Sequence, residues 1–531
     1  MSIRSSTARL LAKPGALSTC LGSGSQRLLS TSSRASHLLQ HRSKLPQRQC
    51  QHRRRYSSAS GSISASDLQF GQPVYETHPH LLQPGEVTPG ITAREYHERR
   101  ARLAQSMPKD AVAILPSADI KWRSGAVFFP FRQESNFLYL TGFSEPESLA
   151  VIHKTGDGFG DYMFYLLVRP KDPVAEQWSG PWSGIQAAED VFNADQAGDI
   201  NQAEQLLSAV LKSSSTVYTD APTHPRVAAL LGSIKPRPAP TTTTSTSPTT
   251  PTAKPTSPSA PLPLRPLVNA LRIVKSPSEI ANMRHAGRVA GRAITSAMRQ
   301  PWLYEKDLAA YLDHAFTADN CSGPAYVPVV AGGRRANMIH YVLNNAPLTS
   351  PQSQSELVLV DAGAEYGTYI TDITRTWPLN GKFTAPQRDL YEAVLRVQRA
   401  GVKLCRADSG HSLDQIHRAT EIALRNELSS LGFDLTRSGA LETLFGHHVG
   451  HYIGLDVHDC PGFGRNVALQ AGHCVTIEPG VYVPADDERW PKHFRGIGIR
   501  IEDSVCVDEF GPIVLTTEAV KEVVDIEALR S

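Results

Sequence analysis

Residues 236–263 consist almost entirely of Pro, Thr and Ser, and this tract constrains how the chain can fold. It has too few apolar side chains to bury a core, which is typical of a disordered loop or linker. The regions on either side must therefore fold around cores of their own, and 531 residues are enough for two such domains. We predict an N-terminal domain over 57–267 that contains the tract as an insert, and a second domain over 268–531.

The N-terminal segment 1–56 is rich in Arg and Ser and has no acidic residue. This composition is typical of a mitochondrial presequence, whereas a secretory signal would need a continuous apolar core that the segment lacks. The alternative is a disordered basic arm. The stretch 53–58 resembles a processing site, where a cut after Arg55 would expose Tyr56 and removal of Tyr56 would leave Ser57. We therefore predict a mitochondrial location, in the matrix or at the inner membrane, with a second pool elsewhere left open.

The charge balance changes sign after this segment. The chain has 54 Lys and Arg against 51 Asp and Glu, but eleven of the basic residues precede Asp67, the first acidic one. The rest of the chain is thus acidic overall, which argues against nucleic acid as a partner. No apolar run approaches the roughly 18 residues needed to span a membrane. The scattered cysteines form no C-x-x-C pair, and they suit a reducing compartment.

The N-terminal domain alternates predicted helices and strands, which favours an α/β architecture. We expect helices over 93–106, near 185–213 and over 223–232, and short strands over 112–115, 137–140, 149–152 and 163–168. The C-terminal domain should open with a helix at Ser276-Pro277-Ser278-Glu279, because this sequence supplies an N-cap, a proline at the first helical position and a capping-box acid.

Two aspartates follow apolar runs in the second domain. A buried strand over 356–361 should end at Asp361, and a second strand over 369–376 should carry Asp372. A hairpin would direct both carboxylates into one pocket. Two buried carboxylates repel unless they are protonated or neutralised by a cation. Alternatively, an aspartate at a strand end is an ordinary turn or cap residue.

Histidines and glutamates complete the pattern. Residues 446–459 contain four histidines among glycines and apolar residues, which favours a site over surface decoration. Glu478 and Glu502 then follow apolar, strand-like runs. Each alone could be an exposed strand acid, but that interpretation weakens once these aspartates, histidines and glutamates occur together.

Taken together, these motifs resemble the pita-bread metallopeptidase superfamily and, within it, the mitochondrial branch of the aminopeptidase P family. The stretches 71–90 and 131–143 extend the resemblance upstream, so that it covers about residues 68–531 apart from the insert. It implies an α+β fold, with a smaller α/β N-terminal domain preceding a C-terminal pita-bread catalytic domain, a curved antiparallel sheet with flanking helices.

The resemblance also implies a metal site. Its five ligands would be Asp361, Asp372, His451, Glu478 and Glu502. Asp372 and Glu502 would bridge two divalent ions, with Asp361 on one ion and His451 with Glu478 on the other. Such a hard, oxygen-rich set suits Mn²⁺. Two ions about 3.5–4 Å apart can activate a shared water for attack on a peptide carbonyl.

Further residues acquire roles through the same resemblance. Glu478 would act as general base, and His340 and His458 would contact substrate and stabilise the tetrahedral intermediate. His447 would line the pocket, and Arg500 would orient Glu502. Two residues have open roles: Tyr482 is equally consistent with packing, and Trp178 lies in the domain that relatives use to reach a neighbouring subunit's pocket.

The implied function is removal of one N-terminal residue from imported mitochondrial proteins after presequence cleavage. The mitochondrial processing peptidase would act first, and the substrates would be peptide and protein N-termini. A general Xaa-Pro aminopeptidase and a proline dipeptidase are alternative enzymes, and an inactive pita-bread binding scaffold is the non-enzyme alternative. The family often closes its pocket through oligomer contacts, so a homo-oligomer is also consistent with the resemblance.

Overall fold

The computed structural model describes residues 69–233, 260–348 and 356–530. The predicted presequence, its processing stretch and the Pro/Thr/Ser tract up to residue 259 lie outside these ranges, and their predictions stay untested. Within the described ranges, no helix is both long enough and apolar enough to cross a bilayer.

The first folded region alternates short strands with helices, as the sequence predicts. Its elements are β1 (Glu86–Thr88), β2 (Ile91–Thr92), α1 (Ala93–Ser106), β3 (Ala111–Pro116), β4 (Trp122–Ser124), β5 (Val127–Phe128), α2 (Ser135–Thr141), β6 (Leu149–Lys154), β7 (Tyr162–Val168), α3 (Pro173–Ser179), α4 (Gly184–Asp190), β8 (Gln196–Asp199), α5 (Ala203–Ser213), β9 (Thr216–Tyr218) and α6 (Pro225–Ser233).

A five-stranded mixed sheet organises this region, in the order β8–β7–β6–β3–β9. The β3–β6 and β6–β7 pairs are antiparallel, and the β7–β8 and β3–β9 pairs are parallel. Side chains alternate across the sheet, so Leu115 packs with α1 and α2, whereas Ile114 packs with α5 and α6. Both faces are covered by helices, which confirms the α/β prediction.

Most predicted elements of this region are confirmed. The helix predicted over 93–106 is α1, and the Thr92 hydroxyl caps it by accepting the Glu95 N–H at 3.2 Å. The strands predicted over 112–115, 149–152 and 163–168 are β3, β6 and β7. The helical stretch predicted near 185–213 is divided by β8, which the sequence pattern did not reveal.

The strand predicted over 137–140 is wrong, because this segment lies in helix α2. All seven residues of α2 are buried, so the sequence shows no helical periodicity, and a short apolar run then fits a strand or a helix equally. The ends decide the structure: the Glu134 carboxylate accepts the Phe137 N–H at 2.7 Å, and Gly142 ends the helix with a φ of 68°.

The second folded region places helices over antiparallel strand pairs. Its elements are α7 (Arg265–Arg272), α8 (Pro277–Met298), α9 (Glu305–Ala318), β10 (Gly323–Pro324), β11 (Val329–Gly332), β12 (Leu357–Asp361), β13 (Ala364–Tyr366), β14 (Tyr369–Ile370), β15 (Thr374–Pro378), α10 (Ala385–Lys403), α11 (Leu413–Ser430), α12 (Ala440–Leu444), β16 (Cys474–Ile477), β17 (Gly480–Tyr482), β18 (Gly498–Arg500), β19 (Asp503–Val507), β20 (Pro512–Val514) and α13 (Val523–Ala528).

The strands form small sheets, ordered β11–β12–β15, β10–β13–β14, β16–β19–β20 and β17–β18, and every pairing is antiparallel. Each of these sheets contributes apolar side chains to a core that it shares with helices α8 to α11. Helix α8 starts as predicted, because Ser276 and Glu279 form a reciprocal capping box. The predicted domain boundary after residue 267 falls within α7, and it stays a prediction.

The strand predicted over 369–376 is interrupted. It forms β14 and β15, and Asp372 lies in the irregular segment between them. The Asp372 N–H donates to the side-chain hydroxyl of Ser504, in β19, at 3.0 Å instead of to a backbone carbonyl of a neighbouring strand. The chain also passes close to Gly363, where an added Cβ would lie 1.7 Å from the Thr371 carbonyl oxygen. The interruption therefore depends on Gly363, across the preceding turn, and on Ser504, which is distant in sequence.

Candidate metal centre

The two predicted aspartates approach one pocket from adjacent segments. Asp361 is the last residue of β12, where it pairs with Thr374 at the start of β15. The hydroxyl of Tyr326 donates to Asp361 Oδ1 at 2.6 Å and makes a very short contact with Asp372 Oδ1. Burial and the charges of both aspartates raise the pKa of Tyr326 well above its usual value. Tyr326 therefore keeps its proton and draws the two carboxylates together.

His451 is held so that one ring nitrogen faces these carboxylates. Its segment runs beside β16: the His451 N–H donates to the Thr476 hydroxyl at 3.0 Å, and the Thr476 N–H donates to the His451 carbonyl at 2.9 Å. Its Nδ1 lies 3.1 Å from the Tyr452 carbonyl, which can only accept, so Nδ1 carries a proton. In the neutral ring, Nε2 then has a free lone pair, the form in which histidine binds metals.

The two glutamates complete the cluster from segments that adjoin strands β16, β18 and β19. Glu478 follows β16, and its Oε1 lies 3.5 Å from His451 Nε2. Glu502 lies between β18 and β19 and is 1% exposed. Its Oε2 accepts from the Thr374 hydroxyl at 2.6 Å, whereas its buried Oε1 has no hydrogen-bond partner among the residues that the structure describes. A buried carboxylate oxygen without a donor is suited to a cation.

All five predicted ligands thus come together. Asp372, His451 and Glu502 each offer a ligand atom, and these atoms lie within 4.8 Å of one another. Asp361 joins them through Tyr326, and Glu478 lies beside His451. Their geometry fits a cation-binding site, while their individual roles as ligands stay predictions.

The pKa values of the clustered side chains also fit a cation-binding site. Burial and the charge of Asp372 raise the pKa of Asp361 to about 6, and burial raises the pKa of Glu478 to about 7. Burial and the neighbouring carboxylates raise the pKa of Glu502 well above its usual range. Burial disfavours the charged form of His451, but the carboxylates of Asp372 and Glu478 outweigh it and raise its pKa to about 9. Divalent cations would neutralise this repulsion.

A chain of hydrogen bonds surrounds the carboxylates. Arg500 Nη2 donates to Asp361 Oδ2 at 2.6 Å, and Arg500 Nη1 donates to the Tyr482 hydroxyl at 2.9 Å. The Tyr482 hydroxyl lies 2.9 Å from Nε2 of His447, whose Nδ1 faces the His448 carbonyl at 2.9 Å. His447 Nε2 therefore accepts from Tyr482. Burial and the charge of Arg500 lower the pKa of His447 to about 4, so the ring is neutral.

The predicted contact of Arg500 with Glu502 is indirect. Arg500 forms its ion pair with Asp361, and its Nε donates to the Thr374 hydroxyl at 2.9 Å. The same hydroxyl donates to Glu502, so Thr374 connects the two residues. Tyr482, which could have been a packing residue, has polar contacts on both sides.

Two of the remaining predicted residues, His340 and His458, lie at the edge of the cluster. His340 and His458 are exposed, and the His458 ring centroid is 4.3 Å from that of His451. Burial and the charge of His451 lower the pKa of His458, and His340 contributes to lowering the pKa values of His458 and His447. Trp178 lies on α3 with 89% of its surface exposed.

Sequence reasoning missed Tyr326 and Thr374. Tyr326 lies in an irregular stretch between β10 and β11, where no periodicity distinguishes it from other tyrosines. Thr374 was inside the predicted second strand, but a hydroxyl in a strand carries no signal of its partner. Both act through contacts with residues distant in sequence, Thr374 with Glu502 and Tyr326 with both aspartates.

Buried carboxylates around an imidazole, positioned by antiparallel strand pairs, give the protein a candidate divalent-metal site. Comparisons with known proteins identify its family. "Metallopeptidase family M24" matches residues 281–509, and "Aminopeptidase P, N-terminal domain" matches residues 96–218. Over 460 residues the chain is 40% identical to intermediate cleaving peptidase 55 of Saccharomyces cerevisiae, covering 87% of this chain and 88% of that protein.

Two further comparisons agree. The chain is 37% identical to Xaa-Pro aminopeptidase 3 of Homo sapiens over 481 residues, covering 87% of this chain and 90% of that protein. The crystal structure of the Saccharomyces cerevisiae intermediate cleaving peptidase, lacking its N-terminal 58 residues, superposes with a TM-score of 0.75 at 37% identity, covering 84% of this chain and 99% of that one. The chain belongs to metallopeptidase family M24. It is a metallo-aminopeptidase of the aminopeptidase P type, and its α+β pita-bread fold is as predicted.

Proposed function

We propose that Asp361, Asp372, His451, Glu478 and Glu502 hold two divalent ions, Mn²⁺ in the working enzyme. The observation that supports this proposal is the convergence of four carboxylates and one imidazole, in which burial and neighbouring carboxylates raise the pKa values of Asp361, Glu478 and Glu502. We propose Asp372 and Glu502 as bridging ligands, Asp361 on one ion, and His451 with Glu478 on the other. Oxygen ligands in this number favour Mn²⁺ over a thiolate-type zinc site.

The bound ions would polarise the scissile carbonyl and lower the pKa of an attacking water. Glu478 would take the proton of that water and pass it to the leaving amine from its position beside His451. His340 and His458 would donate hydrogen bonds to the developing oxyanion from the exposed side of the cluster. His447, neutral and bonded to Tyr482, would line the pocket.

We propose that the natural substrates are imported mitochondrial proteins, from which the enzyme removes one N-terminal residue after the mitochondrial processing peptidase has acted. Three observations support this: the acid-free, Arg-rich leader, the similarity to intermediate cleaving peptidases, and a plant relative, intermediate cleaving peptidase 55 of Arabidopsis thaliana, whose name includes "mitochondrial". A matrix or inner-membrane location and a homo-oligomer, with Trp178 reaching a neighbouring pocket, belong to the same proposal.

A general Xaa-Pro aminopeptidase is the second candidate, because the chain is comparably similar to Xaa-Pro aminopeptidase 3. The test is to incubate the full chain and its 57–531 form with Mn²⁺ and two matched peptide series, one beginning Tyr-Ser and one beginning Xaa-Pro. Preferential release of Tyr supports the proposed function. Cleavage of only the Xaa-Pro series supports the second candidate, and cleavage of neither would contradict both. Precursor N-termini from cells with and without the enzyme would then identify the natural substrates.

A further inference from the structure

Arg132 extends from the N-terminal region to two separate segments of the catalytic region. It lies in the stretch that leads into α2, and 39% of its side chain is exposed. Its Nε donates to Glu365 Oε2 at 2.9 Å, and its Nη2 donates to the Leu455 carbonyl through a very short contact. The third nitrogen, Nη1, donates to the Ser135 hydroxyl at 3.2 Å.

The first of these segments contains the aspartates of the metal centre. Glu365 lies on β13, in the stretch of chain between Asp361 and Asp372. It pairs with Ile370 of β14. The second segment contains His458. Its backbone is already tied to β14, because the Ile370 N–H donates to the Gly454 carbonyl at 3.0 Å. Arg132 therefore contacts both the segment that carries Asp361 and Asp372 and the segment that carries His458.

The residue after Leu455, Asp456, is also fixed by hydrogen bonds to its side chain. The Ser135 hydroxyl donates to Asp456 Oδ1 at 2.6 Å, and Arg272 donates to Asp456 Oδ2 at 2.8 Å. On the far side of His458, Asp459 is paired with Arg272 and Lys275. His458 is thus the exposed residue of a segment whose two ends are fixed.

Only an arginine can make these contacts together. A guanidinium group presents its donors in a rigid planar fork, which allows one side chain to bond a carboxylate, a carbonyl and a hydroxyl in different directions. A lysine at the same position offers a single charged nitrogen. Arg132 is partly exposed and Glu365 also retains some access to solvent, so the chain should still fold when their ion pair is lost.

We propose that Arg132 is a positioning residue that sets His458 against the metal-bearing aspartates, so that the N-terminal domain takes part in the reaction. The inference rests on the proposed function of His458. A displacement of about 1 Å in a group that stabilises the transition state can lower the rate about a hundredfold. Loss of Arg132 should therefore lower kcat more than it raises KM.

The first experiment compares Arg132→Met, Arg132→Lys and the control Arg102→Met in the full chain with Mn²⁺. Arg102 is an exposed arginine of α1 that pairs with Glu98. On whichever peptide series the wild type cleaves, Arg132→Met should lower kcat by about 10- to 100-fold. Arg132→Lys should recover part of that loss, and Arg102→Met should match the wild type. Metal content and melting temperature should be the same in all four proteins.

The second experiment is a double-mutant cycle with His458→Ala. If Arg132 acts through His458, Arg132→Met should cost less than about threefold further kcat in the His458→Ala background. Equal losses from Arg132→Met in both backgrounds would overturn the inference, as would a kcat equal to that of the wild type in Arg132→Met alone. Both outcomes require an active wild type, so they are distinct from failure of the proposed function.

Discussion

At the residue scale, the candidate metal centre depends on side chains that neutralise or orient its carboxylates. Tyr326 offers one hydroxyl to two aspartates, and Arg500 reaches Asp361 directly and Glu502 through Thr374. The candidate ligands could be predicted from sequence because their motifs resemble those of the pita-bread metallopeptidases. These supporting residues could not, because their roles exist only once distant segments have folded together.

Tyr326→Phe should weaken divalent-metal binding while the chain stays folded. The substitution removes the hydroxyl that draws Asp361 and Asp372 together and leaves the ring in place. Loss of a residue that orients ligands typically costs about 10- to 100-fold in metal affinity. Titration of the metal-free protein with Mn²⁺ would measure this change. An affinity equal to that of the wild type would show that Tyr326 does not organise the aspartates.

At the scale of secondary structure elements, helices with clear periodicity or capping residues were predicted correctly. Helix α1 was predicted over its observed range, and the start of α8 was predicted from its capping box. The segment 137–140 was misassigned because burial on all sides removes any periodicity. The break around Asp372 was missed because Ser504 and Gly363 produce it through contacts between elements.

Gly363→Ala should destabilise the hairpin between Asp361 and Asp372. An added Cβ would lie 1.7 Å from the Thr371 carbonyl oxygen, so the backbone must move. Overpacking of this kind costs about 1–3 kcal/mol or more. Urea unfolding would measure the free-energy change. Gly511→Ala is the matched control, because no atom lies within 4 Å of its added Cβ, and its effect should stay within about 0.5 kcal/mol. A similar free energy of unfolding for both variants would contradict this account of the break.

At the scale of the whole molecule, a buried ion network connects the two folded regions. Arg272 bonds Asn136 of α2 at 2.6 Å and also pairs with Asp456 and Asp459. Lys275 completes the cluster through Asp459 Oδ2 at 2.7 Å. This network could not be predicted from sequence, because isolated charged residues do not reveal their partners. Its position beside His458 links the stability of the fold to the geometry of the site.

The free energy of unfolding should depend on pH in acid because the pKa of Asp459 is lowered in the folded chain. Burial alone would raise its pKa, but Lys275 and Arg272 outweigh burial and hold the pKa well below its usual value. A depressed pKa contributes stability that is present above about pH 3.9, the pKa in the unfolded chain, and is lost as pH falls through the folded-state value. Asp459→Asn should therefore lower the unfolding free energy by about 3–5 kcal/mol at pH 7.

The difference between wild type and Asp459→Asn should narrow as pH falls below about 4, because Asp459 then binds a proton in the unfolded wild-type chain but not in the folded one, which favours unfolding. Urea unfolding at a series of pH values would measure both curves. Protonation of the metal ligands affects the two proteins alike and cancels in the difference. A difference that stays constant from pH 7 to pH 3 would contradict the assignment.

The most direct test of the central claim is the number of Mn²⁺ ions bound per chain, measured by elemental analysis after equilibrium dialysis. Five convergent ligands should hold two ions in the wild type. Glu502→Gln should lose at least one of them, and the exposed-acid control Asp389→Asn should keep both. A wild type that binds no Mn²⁺, or a Glu502→Gln variant that binds as much as the wild type, would contradict the metal centre described for this chain.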